Sequence, residues 1–383
     1  LLETKIALSF YTSYSKLKLN RRGGVILVIK SSVLQLEPYI SGIQPKRDPG
    51  VIKLNSNENP YPPTPTIQQW LQSFAMQELR YYPDATSTEL RRAIGTMYGI
   101  DPSQVFCGNG SDEVLSVLFN ICFDAGDTIV TPYPTYTLYK TLADIHQLQC
   151  VYVDTNEQFE ISIENMLKPA SQGIFIANPN AQTGRLLELA QIEQLLQQYE
   201  GVVVIDEAYI DFAGPHTSAV SLLEKYPNLV VVRTFSKSYS LCGARVGYCF
   251  ASADFVTAMD KCKDSYNLNV ISQNMARLAV EDQDYFMANV ARVNETRETL
   301  SEALVRLDYE VFPSNGNFLL CRPRRHQAKE IYDYLLQHHI YIRYFPSPRL
   351  SDKLRISIGT EDEIAVLLER LNDYEHTVIA IDE

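Results

Sequence analysis

Lys237 has more chemistry around it than any other residue. It lies between Ser236 and Ser238 in the stretch TFSKSYSLCGARVGY at 234–248, and Arg245 follows eight residues later. Just upstream, Leu229-Val230-Val231-Val232 reads as a buried strand that stops at Thr234. A lysine at a strand end, flanked by hydroxyls and followed by an arginine, suits one pairing of tasks. The amine can form a Schiff base with an aldehyde, while hydroxyls and guanidinium hold a phosphate. Pyridoxal 5'-phosphate (PLP) carries both groups. A loop lysine alone is more often simply solvated, so the weight rests on what other stretches add.

Five stretches add to it. In Gly108-Asn109-Gly110-Ser111-Asp112-Glu113 the glycines let the backbone turn, and Ser111 is expected to cap the helix that follows. The free N–H groups of that first turn then face an anion, although a plain capped helix explains the loop as well. Thr131-Pro132-Tyr133-Pro134-Thr135-Tyr136 offers aromatic faces at a strand end on which a pyridine ring can stack; with 24 tyrosines in the chain, ordinary packing is the alternative. The Asn-rich turn at 178–185 can donate to a phenolate oxygen, or serve only as a turn. Asp206 closes a run of four aliphatic residues, where a carboxylate is costly unless paired. A pyridinium N–H is a fitting partner, and Tyr209, three residues on, can reach the same ring's oxygen. Arg355 lies in a short apolar strand and suits a carboxylate or phosphate, with Arg343 as a second contact; a structural carboxylate is the alternative.

The elements that must position these residues alternate. Strand-like runs lie at 104–107, 128–131, 150–153, 174–177, 202–205, 229–232 and 246–250, most with helical stretches between them, for example 186–199. This pattern predicts an α/β domain with a mostly parallel seven-stranded sheet between helices and with sites at strand ends. Helices are also expected at 66–79 and 87–98. After about residue 252 the pattern changes to a long helical stretch at 270–307, strands at 309–313, 318–321, 341–344 and 354–358, and helices at 328–338 and 361–372. That reads as a smaller α+β domain, with an irregular N-terminal arm packed on it. The boundaries drawn are an extension at 1–30, expected to be poorly ordered, an arm at 31–79 that belongs partly to the small domain, a large PLP-binding domain at 80–270, and a small domain at 271–383.

Composition narrows the classes. The formal charge of −12 over 383 residues argues against nucleic acid as the main partner. Seven scattered cysteines without a CxxC pair fit a reducing compartment, hence a cytoplasmic protein. Six histidines form no HExxH, so no metal site is expected. No apolar run reaches the length of a membrane span.

The motifs LNSNENPYPP (54–63), RYYPD (80–84), GNGSDEVL (108–115), VVIDEAYIDF (203–212), TFSKSYSLCGARVGY (234–248) and LRISIGT (354–360) resemble those of fold type I PLP-dependent enzymes. Within that superfamily the chain is most similar to the histidinol-phosphate aminotransferases, from about residue 36 to 371. The resemblance implies transamination of L-histidinol phosphate with 2-oxoglutarate, giving imidazole-acetol phosphate and glutamate in histidine biosynthesis. It implies PLP on Lys237, the pyridine nitrogen on Asp206 and the ring oxygen on Tyr209. Ser111, Asp112, Ser236 and Arg245 would hold the phosphate, and Tyr136 would stack on the ring. Tyr82 would reach the phosphate site of a neighbouring subunit in a homodimer. Arg355, Arg343, Tyr39 and Asn57 would bind substrate.

One departure stands out. The family often reads Asn-Asn-Pro-Thr-Gly where this chain has Asn180-Ala181-Gln182-Thr183-Gly184, so Asn180 is expected to serve the ring oxygen from one position earlier. Three competing functions remain. A PLP lyase such as threonine-phosphate decarboxylase differs only in which bond stands perpendicular to the ring. An aromatic amino-acid aminotransferase suits the tyrosine-rich arm. A non-catalytic PLP-binding regulator would need a DNA-binding domain that 30 residues do not hold.

Overall fold

The computed structural model describes residues 42–46, 48–214 and 216–382, together with Ile29, Ser31–Leu34 and Leu36. The chain divides into two units, 1–36 and 37–383. In the first, Ser31–Leu34 forms one helical turn. The extension expected at 1–30 and the proposed substrate contact Tyr39 lie outside the described residues, Ile29 apart.

In the second unit the strands run β1 (Ile52–Lys53), β2 (Val105–Gly108), β3 (Thr128–Tyr133), β4 (Gln149–Asp154), β5 (Gly173–Ala177), β6 (Val202–Asp206), β7 (Leu229–Thr234), β8 (Gly247–Phe250), β9 (Tyr309–Val311), β10 (Phe318–Pro323), β11 (Ile340–Tyr341), β12 (Arg343–Tyr344) and β13 (Leu354–Ser357). Seven of them form one sheet in the order β2-β8-β7-β6-β5-β3-β4. The pairs from β7 to β4 are parallel, and β8 runs antiparallel to both of its neighbours. This is the expected mostly parallel sheet, with strand ends moved by at most two residues.

The apolar runs are continuous because both faces of the central strands are covered. Val203 and Ile205 of β6 pack with Ile174 and Val231 in one core. Val202 and Val204 pack with Phe175, Val230 and Val232 in the other. Alternation along each strand thus serves two cores at once. The sheet's polar business is pushed to the strand ends, where Asp206 closes β6 opposite Val232 and Thr234 closes β7 two residues further on.

A second sheet, antiparallel, has the order β12-β13-β10-β9. β1 pairs in parallel with β11, Ile52 opposite Ile340, so the N-terminal arm joins the C-terminal elements.

Three helices differ from expectation. The one expected at 66–79 stops at Ser73, and Met76–Arg80 is a separate 3-10 turn. Leu71, Met76 and Leu79 are exposed, so no buried face carries the helix onward. The stretch at 270–307 is two helices, Val270–Glu281 and Gln283–Arg306. Asp282 leaves helical geometry between them, and its carboxylate accepts from the Tyr285 N–H to cap the second. The last helix runs Glu361–Asp382, ten residues beyond its expected end. Glu375, buried in that extra length, accepts from Tyr309 Oη at 3.2 Å and lies 3.0 Å from His326 Nε2.

Candidate active site

Asp206 is 4% exposed. Tyr139 Oη donates to its Oδ2 at 2.8 Å and the Ala208 N–H to its Oδ1 at 3.2 Å. Burial pushes the carboxyl up to about 6 in spite of these two bonds, which pull it down; the nearby Asp112 and Glu207 charges add to the rise. A buried acid held this way is well placed to take up a cation.

β7 delivers Lys237. Thr234 Oγ1 accepts from the Ser236 N–H at 3.1 Å and donates to Ser236 Oγ at 3.0 Å, which turns the chain off the strand. Lys237 Nζ donates to Ser56 O at 3.1 Å and stands 5.6 Å from the centre of the Tyr209 ring. Asn59 Nδ2 holds the loop from outside by donating to the Lys237 and Ser238 carbonyls. A buried chain of charges holds it from below. Arg233 pairs with Glu207 at 2.8 Å and with Asp211, and Asp211 accepts from Ser238 Oγ.

Ser111 and Asp112 open the helix Ser111–Cys122. Ser111 does not cap it, contrary to expectation. It is the first helical residue, and Gly110, at φ 83°, precedes it without a side-chain cap bond. A side chain at Gly110 would be strained at that φ, and its Cβ would lie 2.4 Å from Arg245 Nη2. A Cβ at Gly247 would lie 2.2 Å from the Ser111 nitrogen. These two glycines keep the helix start open beside Arg245. Arg245 donates to Asp112 Oδ2 at 3.2 Å and to Ser236 Oγ at 3.5 Å, and Tyr136 Oη donates to Asp112 Oδ1 at 3.1 Å. Ser111, Asp112, Tyr136, Ser236 and Arg245 are therefore brought together.

Asn57 and Tyr209 meet as well. Asn57 Nδ2 donates to Tyr209 Oη at 3.1 Å, and Ser357 Oγ donates to Asn57 Oδ1 at 2.8 Å. Arg355 stands two residues before Ser357 on β13 and is 8% exposed. Its guanidinium donates to the Ala181 and Asn55 carbonyls at 2.9 and 3.1 Å and lies 5.2 Å from the rings of both Phe318 and Phe345. Arg343 is opposite Arg355 in the β12–β13 register.

Asn180 is drawn into other work. Its Nδ2 donates to Pro134 O at 2.9 Å, and its Oδ1 accepts from the Gln182 and Thr183 N–H groups. The side chain closes its own turn, and the Ala181 slot contributes a carbonyl to Arg355. Tyr82 stands apart from these groups, 80% exposed and stacked on Tyr266 at 4.4 Å. Among the described residues no group of three or more His, Cys, Asp or Glu side chains is placed to hold a metal.

The residues fit PLP. An amine meets the need of an aldehyde, an uncapped helix start with a guanidinium and a hydroxyl meets a phosphate, and a buried acid meets a ring N–H. Comparison with known proteins decides the family: the family described as "Aminotransferase class I and II" matches residues 49–371. The chain belongs to the class I and II aminotransferases. As a member of that family, this aminotransferase is a PLP-dependent enzyme.

Its similarity to named relatives is extensive. It is 40% identical over 348 residues to histidinol-phosphate aminotransferase of Rippkaea orientalis, covering 91% of this chain and 99% of that protein. It is 41% identical over 347 residues to histidinol-phosphate aminotransferase 1 of Hydrogenovibrio crunogenus, covering 88% and 95%. In fold it is similar to the crystal structure of histidinol-phosphate aminotransferase from Sinorhizobium meliloti in complex with PLP, with a TM-score of 0.85, 23% identity, and coverage of 92% and 99%. L-threonine-O-3-phosphate decarboxylase from Porphyromonas gingivalis shares the fold too, with a TM-score of 0.75 at 21% identity and coverage of 85% and 99%.

Sequence reasoning missed four residues of the aminotransferase site. Tyr139 lies three positions past Tyr136, in the first turn of the helix Leu138–Ile145 that follows the aromatic loop. Ser357 shares a strand face with Arg355 by the same kind of count. Asn59 and Asp211 sat inside quoted motifs, but nothing in their spacing pointed at the Lys237 loop.

Proposed function

We propose that this aminotransferase moves the amino group of L-histidinol phosphate to 2-oxoglutarate, forming imidazole-acetol phosphate and glutamate in histidine biosynthesis. The observation that carries the reading is the opposed pair Arg343 and Arg355, on a sheet whose next residues reach Tyr209 through Asn57. Two guanidinium groups suit a phosphate ester in one half of the cycle and the side-chain carboxylate of glutamate in the other. The names and coverage of the relatives support the same substrate.

PLP, when bound, supplies an aldehyde that captures the substrate amine and a ring that draws electrons from its Cα. Lys237 would hold it, and the amine freed by substrate would carry a proton to and from Cα. Asp206 would keep a proton on the ring nitrogen, and Tyr209 would donate to the ring oxygen. Ser111 and Asp112 through their N–H groups, with Ser236 and Arg245, would bind the phosphate. Tyr136 would lie against the ring.

A homodimer and a cytoplasmic setting belong to this reading. Met76, Leu79, Tyr81 and Tyr82 are exposed on one short stretch, which suits a second copy, with Tyr82 reaching its phosphate site. All seven cysteines are free, in keeping with a reducing compartment. Among the described residues no helix is long and apolar enough to cross a membrane. The division places an arm at 31–79, a PLP-binding domain at 80–270 and a small domain at 271–383; the β1–β11 pairing supports joining the arm's Ile52–Lys53 to the small domain.

The test compares three reactions of the PLP-loaded protein: glutamate formation from 2-oxoglutarate with histidinol phosphate, the same with unphosphorylated histidinol, and carbon dioxide release from phosphothreonine. Turnover that requires the phosphate, without carbon dioxide, is expected. Carbon dioxide release, or equal turnover of histidinol, would overturn the substrate assignment.

A further inference from the structure

Asn57 is 1% exposed and every polar group it has is engaged. Its N–H donates to Ser357 Oγ at 2.8 Å, and its carbonyl accepts from Asn317 Nδ2 at 2.9 Å. Ser357 Oγ, having accepted that N–H, turns its own hydrogen to Asn57 Oδ1 at 2.8 Å. This fixes which way round the amide stands: its oxygen faces Ser357 and its NH2 faces Tyr209 Oη at 3.1 Å. The backbone at Asn57 is left-handed, φ 53°, a conformation asparagine tolerates better than most residues.

The consequence falls on Tyr209. Its oxygen accepts from Asn57, so its own hydrogen is free to point elsewhere. Among the described residues no other hydrogen bond reaches that hydroxyl. A phenol that accepts one hydrogen bond becomes a stronger donor in the next. We propose that Asn57 is a positioning residue that fixes Tyr209 as a one-way donor to the cofactor's ring oxygen, and that Ser357 sets the polarity of this relay. The relay makes up, at one remove, for the donor missing at Ala181. It also ties the ring oxygen to β13, the strand that bears Arg355. The inference rests on the cofactor placement proposed above and is independent of which substrate is used.

A donor on the ring oxygen draws charge from it and weakens its hold on the proton of the adjoining lysine–cofactor nitrogen. The readout is the pH midpoint of the visible band of PLP-loaded protein, measured without substrate. Asn57→Gly removes the amide and suits the positive φ; Ser357→Ala removes only the polarity signal. Asn57→Gly is expected to raise the midpoint by about half a unit, and Tyr209→Phe by more. Ser357→Ala should move it the same way by less. The double variant Asn57→Gly/Tyr209→Phe should sit where Tyr209→Phe alone sits, because Asn57 acts through Tyr209. A midpoint unmoved in Asn57→Gly with PLP fully bound would overturn the proposal. So would a full Asn57→Gly shift that persists in the Tyr209→Phe background. A wild-type protein that shows no visible band with PLP would overturn the cofactor placement and the relay with it.

Discussion

Asp206 and Arg355 are both charged groups taken out of water, and they are held in opposite ways. Asp206 ends a central strand, and its partners, Tyr139 and the Ala208 N–H, are neutral. Burial therefore wins and the acid is pushed up to about 6. Arg355 is cushioned by two carbonyl oxygens and two aromatic rings, and these come from four separate stretches of chain. The contrast matches what each is proposed to bind. A group that stays for many turnovers can be awaited by a rigid, under-satisfied acid. Anions that come and go need a guanidinium already solvated by the protein, so that leaving is not too costly.

The largest effect in this comparison lies between the two groups. Lys237→Ala should lower the glutamate half-reaction by about 10⁴-fold, read by stopped-flow absorbance, because the proposed proton carrier is gone. Arg355→Ala comes next. It should lower kcat/KM for histidinol phosphate by about 10²–10³-fold, mostly through KM, as expected for loss of one partner of a buried charge pair. Arg355→Lys should recover only part of that, since a point charge lacks the fork.

Asp206→Asn breaks the comparison on the other side, and its sign depends on pH. The folded acid titrates near 6, above its ordinary 3.8, so its contribution to apoprotein stability is fully present below 3.8 and is lost as pH rises through 6. Asp206→Asn apoprotein should thus be more stable than wild type at pH 7, by up to about 3 kcal/mol, with the gain fading towards pH 4. Urea unfolding at the two pH values checks this. PLP-loaded protein should lose the advantage, because the ring N–H then satisfies the acid. The smallest effect is the exposed control: Lys329→Ala, which breaks the i,i+4 pair with Asp333, should change stability by less than about 0.5 kcal/mol in thermal melts.

The same contrast explains what could be read from the sequence. The Asp206 and Lys237 side of the site lies at the ends of consecutive apolar runs in one parallel sheet, and such runs announce both the strand and the place where it stops. The Arg355 side is assembled from Asn55, Ala181, Phe318 and Phe345, residues up to 300 positions from Arg355, and no local pattern predicts their meeting. Asn57 shows the limit best. Its motif marked it as part of the site, but its task depends on Ser357 and Tyr209, which only the folded chain brings to it. The helix ends were misjudged for a related reason: past Ser73 the apolar side chains find no core, whereas the last helix passes residue 372 with Glu375 buried against Tyr309 and His326.

The most direct test of the whole account is the visible spectrum of the purified PLP-loaded protein, taken before and after adding glutamate and, separately, histidinol phosphate. The account predicts a yellow band that bleaches with each compound alone, because one pair of arginines admits both anions to one lysine. A band that bleaches with glutamate and not with histidinol phosphate would contradict it.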